Sequence, residues 1–222
     1  MRSTAALSGW LLLSLAAATA HAAPAQIKAT ALDRPVLLVI DIQNFYFQGG
    51  KLPLVGSAEA SLKAKSVLDA FRAKNLPVIH IQHMPQGIEK FEPGVTDPQY
   101  AIHPNVAPIA GENVVVKHFA NSFRETQLLA LLQGLKVKTL VIAGMQTHMC
   151  VEAAVRAGAD LGFDVVVIDD ACATRDLKLR ETTIPAATVH AAVLAALSGS
   201  YAKVVTTAEI LANIAAGPGA RR

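Results

Sequence analysis

The chain has 222 residues, of which 52% are apolar and 5% aromatic, and its formal net charge is +3. This size and composition are typical of one compact α/β domain whose core is rich in Ala, Val and Leu. Lys and Arg are scattered rather than concentrated in a block, which argues against a dedicated nucleic-acid-binding surface.

The start of the chain has the layout of a secretory signal peptide. A short positive start precedes a largely apolar run at residues 9–19, and Ala20 and Ala22 are small residues at the positions that a signal peptidase reads. The run is too short for a stable membrane span, so no span is expected after cleavage, although an uncleaved anchor is the alternative. We predict export to the periplasm or the medium, with three segments: a signal peptide (1–22), one folded domain (23–216) and a disordered tail (217–222).

Beyond this segment, apolar runs alternate with amphipathic helical stretches. The runs predict six buried parallel strands, at residues 36–40, 77–82, 114–116, 140–143, 165–168 and 203–205. Strand–helix alternation of this kind predicts a parallel sheet covered by helices on both faces, which is a three-layer α/β/α fold. The sequence also carries signals for helix starts and ends. Thr206 and Glu209 fit a capping box, and Pro185 fits a helix start. Gly134 and Gly199 fit left-handed helix ends.

Three reactive side chains follow predicted strands. Asp41 comes after the first strand, Lys117 after the third, and Cys150 shortly after the fourth. In open α/β sheets, reactive groups gather beyond the carboxyl ends of the strands. An acid, an amine and a thiol at such ends predict a catalytic site.

Cys150 precedes a helical stretch, where the helix dipole and unpaired N–H groups favour a thiolate. A nearby Lys117 ammonium would lower the pKa of the thiol further, and Asp41 could accept the thiol proton and later activate water. Cys172 is the only other cysteine. Because an exported protein meets oxidising conditions, a disulfide between Cys150 and Cys172 is the plainest alternative.

Three segments resemble the signature blocks of isochorismatase-like cysteine hydrolases. They are VLLVIDIQNFYFQGG (36–50), VVVKHFANSFRETQLLALL (114–132) and LVIAGMQTHMCVEAAVRAGADLGFDVVVIDDACAT (140–174). Within them, D-x-Q follows the first strand, K-x5-F-x2-T the third, and G-x5-C-V precedes a helix. The resemblance extends from about residue 34 to about residue 211.

The resemblance implies a Rossmann-like six-stranded parallel sheet with strand order 3-2-1-4-5-6. By matched position it makes Asp41 the general base, Lys117 its charge partner and Cys150 the nucleophile.

The resemblance also implies a cis peptide bond between Met145 and Gln146, which would direct the N–H groups of Gln146 and Cys150 at the oxyanion. Tyr46 matches an aromatic wall of the substrate pocket, and Phe45 could share that task.

No cofactor and no metal are expected. The nicotinamidases of this superfamily carry an Asp-x-His pair and a later His as metal ligands, whereas the corresponding segment here reads HIQHMP. His80 and His83 should point to opposite faces of an extended segment, which is a poor chelating arrangement. His148, two residues before the nucleophile, is expected to orient its loop or touch substrate, and Cys172 is expected to serve packing.

The sequence therefore predicts a hydrolase of a small amide, lactam or carbamoyl C–N bond, acting through an acyl-thioenzyme. Family members that hydrolyse isochorismate itself need no thiol, so the presence of Cys150 favours amide-type substrates. An isochorismate-type vinyl-ether hydrolase and a non-catalytic or redox protein on the same scaffold stay open as alternatives. A small-molecule substrate is the expected partner, and homo-oligomerisation is expected by analogy alone.

Overall fold

The computed structural model describes residues 32–84 and 97–216. The predicted signal peptide and the predicted tail lie outside these residues. The strands are β1 (Pro35–Ile40), β2 (Val78–His83), β3 (Asn113–Lys117), β4 (Thr139–Met145), β5 (Asp164–Ala173), β6 (Leu177–Leu179), β7 (Thr182–Ile184) and β8 (Lys203–Val205). The helices are α1 (Ser57–Ala73), α2 (Leu128–Gly134), α3 (Glu152–Asp160), α4 (Ala186–Leu197) and α5 (Thr207–Ala216).

The main sheet is parallel and six-stranded, with the order β3-β2-β1-β4-β5-β8. This is the predicted order, because β8 is the sixth strand of this sheet along the chain. In addition, β6 and β7 form a separate two-stranded antiparallel hairpin that the sequence analysis did not anticipate. The connection from β3 to β4 reverses the direction in which strands are added, because β4 lies on the other side of β1. The carboxyl ends of β1 and β4 therefore border a crevice.

Helices cover both faces of the sheet, as predicted. The apolar side chains of β1 alternate between the two faces: Leu37 and Val39 pack in the core under α1 and α5, whereas Leu38 and Ile40 pack in the core under α2, α3 and α4. Since both faces are buried, the strands read as continuous apolar runs. Within the described ranges, no helix combines the length and the apolar character that crossing a bilayer requires.

The helix ends match the sequence in part. Thr206 and Glu209 form the predicted capping box, because the Thr206 N–H donates to Glu209 Oε2 at 2.7 Å and the Glu209 N–H donates to Thr206 Oγ1 at 3.2 Å. Gly199 has φ +80 just after α4. The prediction for Gly134 was wrong: it is the last residue of α2, and Lys136 adopts the left-handed conformation instead, with φ +54.

Gly144 allows β4 to approach β1 closely just before the segment that carries Cys150. It pairs with Ile40 and has φ +150, and a Cβ at this position would lie 2.1 Å from the Ile40 carbonyl oxygen. No other residue can occupy this position without moving one of the two strands. The glycine of the G-x5-C-V motif therefore fixes where the nucleophile segment leaves the sheet.

Candidate active site

Asp41, Lys117 and Cys150 meet at the carboxyl edge of the sheet. Asp41 follows β1, Lys117 ends β3, and Cys150 lies in the turn after β4. Lys117 Nζ is 2.8 Å from Asp41 Oδ2, and both side chains are fully buried. Cys150 is 5% exposed, its sulfur lies within 4.8 Å of an Asp41 carboxylate oxygen, and the charges of Asp41 and Lys117 both act on its thiol. The three predicted residues are therefore brought together.

The Lys117 ammonium is held by more than one oxygen. Besides the carboxylate, Nζ donates to the carbonyl oxygens of Phe119 at 3.1 Å and Ala120 at 3.3 Å. Burial lowers the pKa of Lys117, but the negative charges of Asp41 and of an ionised Cys150 raise it by more, so the net pKa lies above its ordinary value. Lys117 therefore stays protonated at neutral pH, and its positive charge lies against the Asp41 carboxylate.

The environment of Cys150 differs from the prediction in two respects. Cys150 lies in a π-helical turn, Thr147–Val151, and α3 begins only afterwards at Glu152. Burial and then the Asp41 carboxylate raise the pKa of the Cys150 thiol to about 12, although Lys117 acts in the opposite direction. The predicted lowering of the thiol pKa is therefore wrong: the pKa is raised, and the thiol is protonated at neutral pH beside the Asp41 carboxylate.

Gln43, the glutamine of the D-x-Q motif, fixes the neighbouring strand end. Its Nε2 donates to the carbonyl oxygens of His83 at 3.0 Å and Tyr100 at 2.6 Å, and its Oε1 accepts the His83 N–H at 2.8 Å. Gln43 is fully buried. The sequence analysis quoted this residue but gave it no role, and its spacing from Asp41 was the available signal.

A cavity of about 310 Å³ opens onto the Cys150 side chain. Its aromatic wall consists of Phe45, Tyr46 and Tyr100, and the ring centroids of Phe45 and Tyr46 are 4.0 Å apart. The remaining lining residues are Lys51, Leu52, His83, Ala120, Gln146 and Met149. Both aromatic residues predicted to bind substrate therefore border the cavity of the nucleophile, and its size suits a small molecule.

Gln146 links the aromatic wall to the turn that carries the nucleophile. The peptide bond between Met145 and Gln146 is cis, as the resemblance implied. Gln146 Nε2 donates to the Tyr46 hydroxyl at 3.1 Å, and Gln146 Oε1 accepts from Arg175 Nε at 3.1 Å. Burial is the main cause that raises the pKa of Tyr46, so its hydroxyl remains neutral.

His83 comes closer to the nucleophile than the sequence analysis anticipated. As expected, His80 and His83 diverge: His80 is buried and its Nε2 lies 2.8 Å from Glu112 Oε2, whereas His83 borders the cavity. A ring nitrogen of His83, a carboxylate oxygen of Asp41 and the Cys150 sulfur all lie within 4.8 Å of one another. These three atoms are of the types that bind zinc, although the Lys117 ammonium beside Asp41 opposes a divalent cation.

His148 and Cys172 lie away from this cavity. His148 Nδ1 hydrogen-bonds the Thr174 hydroxyl, which ties the nucleophile turn to the end of β5. Cys172 pairs with Gly144 in the sheet and is buried, and burial raises the pKa of its thiol to about 12. Cys150 and Cys172 are not joined by a disulfide bond.

A larger depression, of about 770 Å³, lies near the start of β5 and is lined by Thr139, Asp164, Tyr201 and Lys203, among others. It contains neither a cysteine nor a histidine. The smaller cavity is therefore the candidate active site, because it alone of the two is lined by a cysteine and a histidine.

The isochorismatase domain model matches residues 35–209. An uncharacterized isochorismatase family protein of Bacillus subtilis, YddQ, is 44% identical over 79% of this chain and 97% of its own. The secreted isochorismatase effector Isc1 of Verticillium dahliae is 32% identical over 79% of this chain and 89% of its own. A crystal structure from Oleispira antarctica, described as an isochorismatase hydrolase, superimposes with a TM-score of 0.74 at 46% identity, over 80% of this chain and 96% of that one. The chain belongs to the isochorismatase family and is a hydrolase of that family.

Relatives with named activities are more distant. A maleamate amidohydrolase of Pseudomonas putida is 30% identical over 64% of this chain and 73% of its own. A ureidoacrylate amidohydrolase of Yersinia enterocolitica is 30% identical over 61% and 73%. A streptothricin hydrolase of Streptomyces noursei is 32% identical, but this chain spans only 55% of its length.

Proposed function

We propose that this protein hydrolyses a small amide, lactam or carbamoyl C–N bond through an acyl-thioenzyme, with Asp41, Lys117 and Cys150 as its catalytic triad. One observation carries the proposal: a buried Asp41–Lys117 ion pair, 2.8 Å between charged atoms, contacts a thiol that opens onto a small cavity. A nucleophile, a base and a group that keeps the base ionised are thus assembled in one place.

In the first half of the reaction, Cys150 attacks the carbonyl carbon while its proton passes to Asp41. Because the thiol is neutral at rest, the proton transfer and the formation of the C–S bond occur together. The N–H groups of Gln146 and Cys150 stabilise the oxyanion that forms. The tetrahedral intermediate then collapses, the C–N bond breaks, and the leaving nitrogen takes the proton from Asp41.

In the second half, water attacks the thioester while a base removes one of its protons. The C–S bond breaks, the carboxylic acid leaves and Cys150 regains its proton. Lys117 keeps its own proton throughout, since its pKa lies above the ordinary value. Its role is therefore electrostatic: it holds Asp41 in the ionised form that can accept a proton.

The named activities of the relatives support an amide-type substrate, because two of them are amidohydrolases. The cavity supports a small and partly flat substrate, since three aromatic side chains form one wall. An isochorismate-type vinyl-ether hydrolase is the competing candidate, favoured only by the name of the family, and its reaction would form no thioester. A redox protein is disfavoured because Cys150 and Cys172 lack the C-x-x-C spacing that redox proteins use.

The test is a panel of small amides, including maleamate and ureidoacrylate, assayed for the release of ammonia or amine by the wild type and by Cys150→Ala. We expect at least one amide to be turned over and Cys150→Ala to be inactive while retaining its circular dichroism spectrum. A folded Cys150→Ala protein that keeps most of the rate would remove the thiol from the mechanism. Turnover of isochorismate but of no amide would support the competing candidate.

The proposal includes export of the chain as a homo-oligomeric enzyme, after removal of residues 1–22. The arrangement of residues 9–22 supports export, and Isc1, one of the relatives, is a secreted protein. Size-exclusion chromatography with light scattering tests the oligomeric state.

A further inference from the structure

His83 is held at the edge of the active site with its backbone fixed. It is the last residue of β2, and the Gln43 side chain binds both its N–H and its carbonyl oxygen. Because Gln43 lies two residues after Asp41, this clamp ties the position of His83 to the strand that carries the base. The imidazole is therefore placed by the sheet rather than by a free loop.

Among the described residues, the ring of His83 has no hydrogen-bond partner that would account for its position. Its Nδ1 is buried and hydrogen-bonds no atom of the described residues. A ring nitrogen lies within 4.8 Å of both the Cys150 sulfur and an Asp41 oxygen, and the side chain borders the cavity. An unpaired buried nitrogen costs free energy unless something binds it. A water or a substrate atom in the cavity is the partner that this position offers.

The charge state of His83 suits a proton acceptor. Burial lowers its pKa; Asp41 raises it, and Lys117 and His118 lower it further, so the net pKa lies below the ordinary value. The imidazole is therefore neutral at pH 7. The groups that face it are Asp41 from the end of β1, Lys117 and His118 from the end of β3, and Cys150 from the turn after β4.

We propose that His83 is the catalytic base of the second half-reaction, taking a proton from the water that cleaves the thioester on Cys150. The resemblance assigns both proton transfers to Asp41, but Asp41 is fully buried and ion-paired with Lys117, whereas His83 borders the cavity into which water enters. A base within 4.8 Å of the sulfur can contact a water that attacks the carbon bonded to that sulfur.

The protons balance over the cycle. In acylation, the thiol proton passes through Asp41 to the leaving nitrogen. In deacylation, one water proton passes to His83 while the C–O bond forms; the C–S bond then breaks, and the departing sulfur takes this proton back from the imidazolium. Each base thus begins and ends the cycle in the same protonation state. The inference rests on the proposed thioester mechanism.

The experiment uses 4-nitrophenyl acetate, which acetylates a reactive thiol and releases coloured nitrophenolate before any water attacks. Wild type, His83→Gln and Cys150→Ala are mixed with this ester in a stopped-flow instrument, and the acetylated protein is measured by intact mass. His103→Gln is the matched control, because His103 is a histidine that neither borders the cavity nor acts on the pKa of His83. We expect His83→Gln to keep a rapid nitrophenolate burst, to accumulate acetyl-Cys150 and to turn over about 10²-fold more slowly than the wild type. His103→Gln should behave as the wild type.

A second variant covers the case in which His83→Gln is unstable. His83→Ala leaves a space for added imidazole, which should restore deacylation in proportion to its concentration. The steady-state rate of the wild type should fall at low pH with a midpoint below the ordinary histidine pKa, since protonated His83 cannot accept a proton. This fall should be absent from His83→Gln.

The outcomes separate the two proposals. If His83→Gln deacylates as fast as the wild type, or loses burst and turnover equally, His83 is not the base, although the thioester mechanism stands. If no protein gains an acetyl group on Cys150, the thioester mechanism itself fails, and the role of His83 fails with it.

Discussion

Lys117 Nζ lies 2.8 Å from Asp41 Oδ2, and neither side chain reaches solvent. The two residues end strands that are not neighbours in the sheet, since β2 lies between β3 and β1. The lysine side chain therefore extends past the end of β2 to reach the carboxylate. The Cys150 sulfur lies within 4.8 Å of an oxygen of the same carboxylate. The charges of Asp41 and Lys117 act on the Cys150 thiol in opposite directions.

Because the two charges act on the thiol in opposite directions, we expect Asp41→Asn to react faster with iodoacetamide but to turn over substrate more slowly. Asp41 raises the pKa of Cys150, so its neutralisation should lower that pKa and speed iodoacetamide labelling at pH 7. Turnover should nevertheless fall by at least about 10², because the thiol has lost its proton acceptor. Lys117→Met should slow the labelling, since Lys117 lowers the thiol pKa. Equal labelling rates in all three proteins would contradict both assignments.

Lys117→Met should also destabilise the fold, because it leaves the Asp41 carboxylate buried without a partner. Breaking a buried pair in this way costs about 3–5 kcal/mol, measurable as a loss in the free energy of unfolding by urea. Lys65→Met is the matched control, since Lys65 pairs with Asp69 on the exposed surface of α1. It should cost no more than about 0.5 kcal/mol. Similar losses in the two variants would mean that the buried pair contributes little.

Exhaustive chelation should leave the activity unchanged, because the proposed mechanism uses no metal. Added zinc should inhibit, since the zinc-binding atoms within reach of one another belong to the proposed nucleophile and its bases. The measurement is turnover after dialysis against a chelator, followed by titration with zinc or manganese. Loss of activity that either metal restores would revive a nicotinamidase-like metal site.

Export can be followed through Trp10, the only tryptophan of the chain. Cleavage after Ala22 removes it, so exported protein should begin at Ala23 and show no tryptophan emission on long-wavelength excitation. N-terminal sequencing of the exported protein supplies the check, with the uncleaved chain as the control. An exported species that retains Trp10 would identify the segment as an anchor or a retained arm.

The sheet and the meeting of Asp41, Lys117 and Cys150 at its edge were predictable because local patterns determine them. Continuous apolar runs indicate buried parallel strands, and residues that follow such strands meet at one edge whatever the details of the loops. The hairpin of β6 and β7 gave no such signal. Its two-residue turn places Arg180 at φ +54. Glycine or asparagine at this position would have indicated a hairpin turn, but arginine does not.

The position of His83 and the charge state of Cys150 could not be predicted from the sequence for a different reason. Alternation along β2 correctly separated His80 from His83, but which of them faces the nucleophile depends on the register of β2 against β1, with Ile40 opposite Ile81. The pKa of Cys150 depends on how deeply the thiol is buried, which no local pattern records. Both properties arise from packing between segments distant in the chain.

The close contact between Gly144 and Ile40 makes the strand ends beside Asp41 and Cys150 intolerant of substitution, whereas the wall of the cavity is not constrained in this way. Asp41 and Cys150, the proposed base and nucleophile, follow adjacent strands whose spacing this contact sets through the backbone. The aromatic wall, in contrast, comes from the segments around Phe45 and Tyr100, outside the sheet. Substitutions there can reshape the cavity without moving the reacting groups. Such a division would let one chemical mechanism be inherited intact while the molecules it acts on diverge.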